Sequence, residues 1–156
     1  MVKDETRKYI VQYPPEVSLC VGCNACEIVC GLVHDGKVGP SVRRIFLEQD
    51  LILLEHRVYT CQHCLDYPCY HACPKQEVAM RIDEEKGIVY IDPAGCIGCQ
   101  LCIKACPFEP KRINFDKSSN QVVKCDLCRT RENGPACVEY CQVRCIGLSD
   151  QPLPAP

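Results

Sequence analysis

Cysteine is the residue that most restricts how this chain can fold, because 17 of its 156 residues are cysteine. An odd number excludes complete intramolecular disulfide pairing. The chain has no tryptophan and only three phenylalanines, so a large aromatic core is not available. Short chains with thin apolar cores are usually stabilised by disulfides, metals or oligomerisation, and the cysteines therefore make disulfides or metal sites the first question.

The cysteines are regularly spaced and form four groups of four, with Cys145 left over. The first and third groups share the spacing C-x2-C-x2-C-x3-C: Cys20, Cys23, Cys26 and Cys30, then Cys96, Cys99, Cys102 and Cys106. The second group has the spacing C-x2-C-x4-C-x3-C: Cys61, Cys64, Cys69 and Cys73. The fourth group has the spacing C-x2-C-x8-C-x3-C: Cys125, Cys128, Cys137 and Cys141.

The spacing of the first and third groups is that of bacterial ferredoxins, in which the fourth cysteine binds the other cluster of a pair. Three cysteines at three-residue intervals can surround one face of a 4Fe-4S cubane, and a short helix then carries the fourth thiolate towards a neighbour. The four groups supply the 16 thiolates that four such clusters require. Structural zinc favours well-separated C-x2-C pairs, so the repeated run favours iron and sulfide over zinc.

Charge and hydropathy restrict the function further. The formal net charge is −2, and basic runs with interleaved aromatics are absent, so we expect no nucleic-acid partner. The longest apolar run, Leu51 to Leu54, is too short to span a membrane. The first ten residues are charged and lack the apolar stretch of a secretory signal, which predicts a cytoplasmic protein unless a partner carries it across a membrane.

The segments between the cysteines predict short strands and helices. Apolar residues predict hairpins over 78–82 with 88–91 and over 112–115 with 121–123, each around a polar turn. A strand is expected at 8–11, and two more at 42–48 and 51–59. Short helices are expected at 26–32, 69–72, 102–106 and 137–141.

Several of these strings resemble a known family. Cys-Gln-His-Cys-Leu-Asp-Tyr-Pro-Cys at 61–69, Cys-Ile-Gly-Cys-Gln-Leu-Cys-Ile-Lys-Ala-Cys-Pro-Phe at 96–108, Lys-Cys-Asp-Leu-Cys at 124–128 and Gly-Pro-Ala-Cys at 134–137 resemble the four-cluster ferredoxin-like subunits of molybdenum or tungsten pterin oxidoreductases. That group includes subunits of formate dehydrogenases, dimethyl sulfoxide reductases and tungsten aldehyde oxidoreductases. Electron-transfer proteins of carbon monoxide dehydrogenases and hydrogenases are similar.

The resemblance implies an α+β fold, a duplicated bacterial dicluster-ferredoxin-like domain over 1–150 with short helices and β-hairpins around four 4Fe-4S clusters. In that family the outer groups (20–30 and 125–141) share two clusters, and the inner groups (61–73 and 96–106) share two. The implied ligand sets are set 1, Cys20, Cys23, Cys26 and Cys141; set 2, Cys125, Cys128, Cys137 and Cys30; set 3, Cys61, Cys64, Cys69 and Cys106; and set 4, Cys96, Cys99, Cys102 and Cys73.

The function that the resemblance implies is non-catalytic electron transfer. Single electrons would pass along the clusters between a catalytic molybdenum or tungsten subunit and a second redox partner, such as a flavin subunit or a ferredoxin. Two alternatives stay open: a freely diffusing polyferredoxin that serves a hydrogenase or carbon monoxide dehydrogenase, and a structural zinc protein.

Other residues receive less specific expectations. Cys145 is expected to be a small filler where relatives have alanine, and His63 a loop residue rather than a ligand. Four charged residues flank cysteines, and their charges are expected either to tune the reduction potentials of the clusters or to be solvated: Lys75, Lys104, Lys124 and Arg129. Five apolar neighbours of the cysteines are expected to exclude water from the clusters: Val21, Ile28, Ile97, Leu101 and Ile103. The proline-rich tail 151–156 is expected to be disordered or to lie on a partner.

Overall fold

The computed structural model describes residues 7–152, and this part of the chain contains short helices and antiparallel β-strand pairs. The described residues form four two-stranded sheets, β1–β8, β2–β3, β4–β5 and β6–β7. The strands are β1 Tyr9–Gln12, β2 Phe46–Asp50, β3 Glu55–Tyr59, β4 Met80–Asp83, β5 Ile88–Ile91, β6 Ile113–Asp116, β7 Gln121–Lys124 and β8 Ile146–Ser149. The helices are α1 Ala25–Asp35, α2 Pro68–His71, α3 Leu101–Lys104 and α4 Ala136–Glu139.

The two hairpins expected around polar turns are confirmed. In β4–β5, Ile82 lies opposite Val89, and in β6–β7, Phe115 lies opposite Val122. The pair expected over 42–48 and 51–59 also forms, but β2 and β3 are shorter than predicted. Asp50 Oδ1 accepts hydrogen bonds from the amides of Ile52 and Leu53, so those residues form a turn instead of extending β3.

The strand expected at 8–11 forms as β1, but its partner β8 was not predicted. Ile10 lies opposite Leu148, and Gln12 lies opposite Ile146, so this sheet joins the two ends of the described chain. Lys8 is also ion-paired with Asp150 beside the same sheet. The pairing places the first and last cysteine groups in one part of the molecule. Of the tail expectation, only Gln151 and Pro152 fall within the described residues.

All four predicted helices are present, and each carries the third cysteine of one group, while α1 also carries the fourth. The helix α1 has 11 residues and α2, α3 and α4 have four each. The helix α1 packs against α4, and α2 packs against α3. These two helix pairs bring together the outer and the inner cysteine groups, respectively.

The buried residues form two clusters, and cysteines are prominent in both. One contains Ile10, Ile45 and Val58 with cysteines of the outer groups and Cys61. The other contains Met80, Val89, Ile113 and Val122 with Cys69, Cys102 and Cys106. Apolar side chains from the four sheets thus enclose the cysteines. No helix within residues 7–152 is long and apolar enough to cross a membrane.

Candidate functional site: clustered cysteines

One cavity of about 350 Å³ is lined by all four cysteines of set 3. The β3–α2 segment supplies Cys61, Cys64 and Cys69, and the residues after α3 supply Cys106. Val89 and Ile113 add an apolar wall. Four thiols from two chain segments therefore converge on one partly open cavity.

A second cavity of about 350 Å³ is lined by all four cysteines of set 4. Cys96, Cys99 and Cys102 come from the loop that enters α3, and Cys73 comes from the residues after α2. Met80, Ile91 and Val122 contribute apolar side chains to the remaining wall. Each of the two cavities thus combines three cysteines of one inner group with the fourth cysteine of the other inner group.

The cysteines of sets 1 and 2 also lie together. The pKa of Cys137 is raised by burial first and then by the nearby Cys30, Cys128 and Cys26. The pKa of Cys125 is raised by burial first and then by Cys137, Cys61 and Cys30. Set 1 is assembled across β1–β8: Cys26 is close to Cys20 and Cys23, and Cys145 contacts both Cys20 and Cys141. Each outer set therefore combines cysteines from the two ends of the chain.

The loop conformation is shared by all four groups. The residue before the second cysteine has a positive φ in each group: Gly22 (67°), His63 (41°), Gly98 (69°) and Leu127 (55°). In three groups a second residue of positive φ precedes the helix, namely Asn24, Tyr67 and Gln100. Left-handed residues turn the backbone sharply, and here they curl each loop so that its cysteines face the same side. The recurrence is a local feature that the spacing alone did not predict.

The buried thiols resist ionisation unless a cation is bound to them. Burial, followed by Glu27, raises the pKa of Cys26 to about 12. Burial and the other cysteines around it raise the pKa of Cys102 to about 12, and the pKa of Cys64 rises to about 11. Thiolates at such positions are stabilised by coordinated metal, so binding releases their protons.

Three buried cations surround set 3. Lys124 and Arg112 line its cavity, and Arg7 donates hydrogen bonds to the carbonyl of His63 (2.6 Å) and the hydroxyl of Tyr67 (2.8 Å). Their residues are 4%, 6% and 2% exposed. Within residues 7–152 none of the three forms an ion pair with a carboxylate. Uncompensated buried charge costs several kcal/mol, so these cations require an anionic neighbour.

The donors around that cavity fit an iron–sulfur group. Arg112 Nε and Nη1 and His63 Nε2 are buried and have no hydrogen-bond partner among the described residues. Burial lowers the pKa of Lys124, but the nearby thiols of Cys61, Cys69 and Cys125 outweigh burial, and the net pKa is raised. A 4Fe-4S core with four thiolates carries about two negative charges and many sulfur acceptors, which suits cations and free N–H groups.

His63 occupies the loop position that was expected, but it is entirely buried, at 1% exposure. Burial and the charges of Lys124 and Arg7 lower the pKa of His63 well below its usual value, so the ring is neutral. Its Nδ1 lies 3.5 Å from Lys124 Nζ, which makes Nδ1 the acceptor and leaves Nε2–H as the donor on the cavity side.

His34 is a residue that sequence reasoning passed over. Its Nε2 lies 2.9 Å from Asp126 Oδ1, and its Nδ1 lies 2.9 Å from the carbonyl of Cys30. Asp126 Oδ1 also accepts a hydrogen bond from the amide of Cys128. Ligand atoms of His34, Asp126 and Cys128 lie within 4.8 Å of one another. Since His34 and Asp126 are far apart in the chain, no spacing signal could have paired them.

Cys145 is buried against the outer sets. Its Sγ lies 3.6 Å from Cys141 Sγ, and its backbone amide donates to that sulfur at 3.3 Å. The small side chain fits the filler role expected from the sequence. Because the contact uses the backbone amide, every residue type except proline would retain it.

Four of the five apolar neighbours are partly exposed to solvent, and one of these four, Ile97, also lines the cavity of set 4. Val21 and Ile97 are each 55% exposed, and Ile28 and Leu101 are each 41% exposed. Val21 and Ile97 lie two residues before Cys23 and Cys99, respectively, which are the two exposed cysteines. These apolar side chains therefore form part of the surface where sets 1 and 4 approach solvent.

Known proteins are similar to this chain over most of its length. Residues 54–151 match the family model of the 4Fe-4S dicluster domain. The thiosulfate reductase electron transfer subunit PhsB of Salmonella typhi is 32% identical over 146 residues, covering 87% of this chain and 72% of PhsB. The aliphatic sulfonate oxidoreductase polyferredoxin-like subunit of Pyrococcus furiosus is 41% identical over 122 residues, covering 78% and 66%.

A solved structure shares the fold. The active site complex BamBC of benzoyl coenzyme A reductase with 1,5-dienoyl-CoA contains a chain that superposes with a TM-score of 0.52. The match covers 96% of this chain and 79% of that chain at 20% sequence identity.

Proposed function

Because this chain belongs to the 4Fe-4S dicluster domain family, we propose that it is the iron–sulfur subunit of an oxidoreductase and carries electrons on four 4Fe-4S clusters, one in each ligand set. A bound 4Fe-4S cluster takes up and returns one electron at a time. The observation that carries the proposal is the pair of cavities lined by the complete sets 3 and 4.

The electrostatic influence of one set on another suggests a linear order. Besides burial, the pKa of Cys137 of set 2 is raised by Cys26 of set 1, that of Cys125 of set 2 by Cys61 of set 3, and that of Cys102 of set 4 by Cys69 of set 3. Electrons would therefore pass through the sets in the order 1, 2, 3, 4 or the reverse.

The surface supports the same order. Cys23 of set 1 and Cys99 of set 4 are exposed, whereas all four cysteines of set 2 are buried. The exposed apolar residues beside Cys23 and Cys99 suit contact with partner proteins. Sets 1 and 4 are thus the proposed points of electron entry and exit.

The proposed main partner is a catalytic subunit. PhsB and the sulfonate oxidoreductase subunit carry names that assign them to larger oxidoreductases, which supports a bound subunit over a freely diffusing carrier. A molybdenum or tungsten pterin subunit is the proposed type, on the resemblance of the 61–69 and 96–108 strings, with a flavin subunit or ferredoxin as the second redox partner. This chain would itself hold no catalytic centre.

Anaerobic purification with iron and sulfide analysis tests the proposal. We expect about 16 irons per chain, four for each ligand set. The variants Cys23→Ser and Cys145→Ser form a matched pair, since only the first removes a proposed ligand. Substantially fewer than four cubanes in the wild-type chain would contradict the cluster count. A catalytic subunit that copurifies at high salt would support the bound form, and a monomer with transient contacts would support the diffusing carrier.

A further inference from the structure

The charge around the four ligand sets is unequal. Set 3 is surrounded by the buried Arg7, Arg112 and Lys124, and none of these is paired with a carboxylate within residues 7–152. Two carboxylates lie close enough to influence these groups: Asp66 adds to the burial that raises the pKa of Cys64 of set 3, and Glu109 opposes the burial that lowers the pKa of Arg112. Both carboxylates are exposed, and Glu109 is paired with Lys111. The local field at set 3 is therefore positive.

Apart from Lys124, which also lies beside Cys125 of set 2, the cations described near the other sets are exposed or paired with carboxylates. The cavity of set 4 is lined by one lysine, Lys75, whose side chain is exposed. Beside Cys26 of set 1 the cation Arg43 is neutralised by Glu27, with Nη1–Oε distances of 2.6 and 2.7 Å. Beside set 2, His34 is paired with Asp126.

The geometry links the cations to set 3 in particular. The amide of Arg112 donates to Cys106 Sγ at 3.5 Å, and its guanidinium lies 4.3 Å from the centre of the Tyr59 ring. Lys124 donates to the Val89 carbonyl at 2.6 Å and faces Cys61 and Cys69. Lys124 also reaches Cys125 of set 2, whereas the two cysteines that act most strongly on Arg112, Cys106 and Cys61, both belong to set 3.

Reduction adds one negative charge to a cluster, and a buried cation stabilises that charge more strongly than an exposed one, because solvent screens less. We propose that the first electron added to the protein reduces set 3. This inference rests on the proposed function. The electron comes from an external one-electron donor, such as a partner iron–sulfur protein, and only the charge state of the site changes. Set 3 would then act as an internal electron store.

The test is an anaerobic redox titration of the full-length holoprotein with dithionite, followed by EPR. Arg112→Gln and Lys124→Met remove one buried cation each, Arg112→Lys retains the charge, and Lys75→Met is the exposed control. We expect Arg112→Gln and Lys124→Met to shift the first reduction step to lower potential. We expect Arg112→Lys and Lys75→Met to leave it near the wild-type value.

A second matched pair of variants assigns the first reduction step to one ligand set even if a charge variant fails to fold. Cys64→Ser and Cys99→Ser replace the second cysteine of set 3 and set 4, respectively. We expect Cys64→Ser to shift or abolish the first step and Cys99→Ser to affect a later one. The proposal is overturned if Cys99→Ser changes the first step, or if Arg112→Gln moves a later step and spares the first. Fewer than four one-electron steps in the wild type, together with low iron, would instead refute the proposed function.

Discussion

Substitution of Gly98 by alanine should destabilise the protein more than substitution of other glycines of positive φ. Gly98 precedes Cys99 and has a φ of 69°. A Cβ atom at this position would lie 2.4 Å from the carbonyl oxygen of Asn120, in the turn between β6 and β7. The obstacle is a backbone atom, so a change of rotamer cannot relieve the contact.

Two costs therefore add in Gly98→Ala. A left-handed alanine costs about 1 kcal/mol relative to glycine, and an overpacked contact costs about 1–3 kcal/mol more. Gly36 ends α1 with a φ of 63°, and a Cβ atom there would meet nothing within 4 Å, so Gly36→Ala carries the first cost alone. The cost of Gly22→Ala should be intermediate, because the new Cβ atom would meet the movable side-chain ends of Gln49 and His56.

The assay is thermal unfolding of anaerobically loaded protein at one scan rate, followed by circular dichroism and by the visible absorbance of the iron–sulfur groups. For a chain of this size, 1 kcal/mol corresponds to a shift of about 2–4 °C in Tm. We expect Gly36→Ala to lower Tm by about 2–4 °C and Gly98→Ala by about 4–16 °C. Equal shifts for the two variants would refute the reasoning that the Asn120 carbonyl restricts this loop.

Three further predictions follow from single contacts. Cys145→Ala should retain the wild-type iron content, because the amide that contacts Cys141 Sγ belongs to the backbone; loss of four irons would make Cys145 a ligand. Glu27→Ala should lower the free energy of unfolding by about 2–3 kcal/mol in denaturant titration, since Arg43 and the amide of Leu47 lose their acceptor, and Glu27→Gln should lower it less. Asp150→Asn should change it by less than about 0.5 kcal/mol, because the ion pair with Lys8 is solvent-exposed; a larger loss would mean that this pair supports β1–β8.

The local parts of the fold were predictable because their signals are local. The hairpin β4–β5 follows from apolar residues on both sides of a polar turn, and the helices follow from the C-x3-C steps. Residues that share a spacing rule, such as Cys61 and Cys64, could likewise be assigned to one site from the sequence alone.

Long-range pairings were not predictable, because nothing near either partner marks them. The strand β8 pairs with β1 across almost the whole chain. Lys124 looked like any lysine beside a cysteine, and Arg7 carried no signal at all, yet both are buried near set 3. Burial of a charge depends on which segments cover it, and the sequence pattern around one residue does not contain that information.

The β1–β8 pairing also has a consequence for synthesis on the ribosome. The hairpins β4–β5 and β6–β7 can form as soon as their own residues emerge, whereas β1 has no partner until residues 146–149 have been made. The thiols at 20–30 emerge first and wait longest before the sheet closes over them. Maturation should therefore proceed from the middle of the chain outwards, with the earliest cysteines protected last.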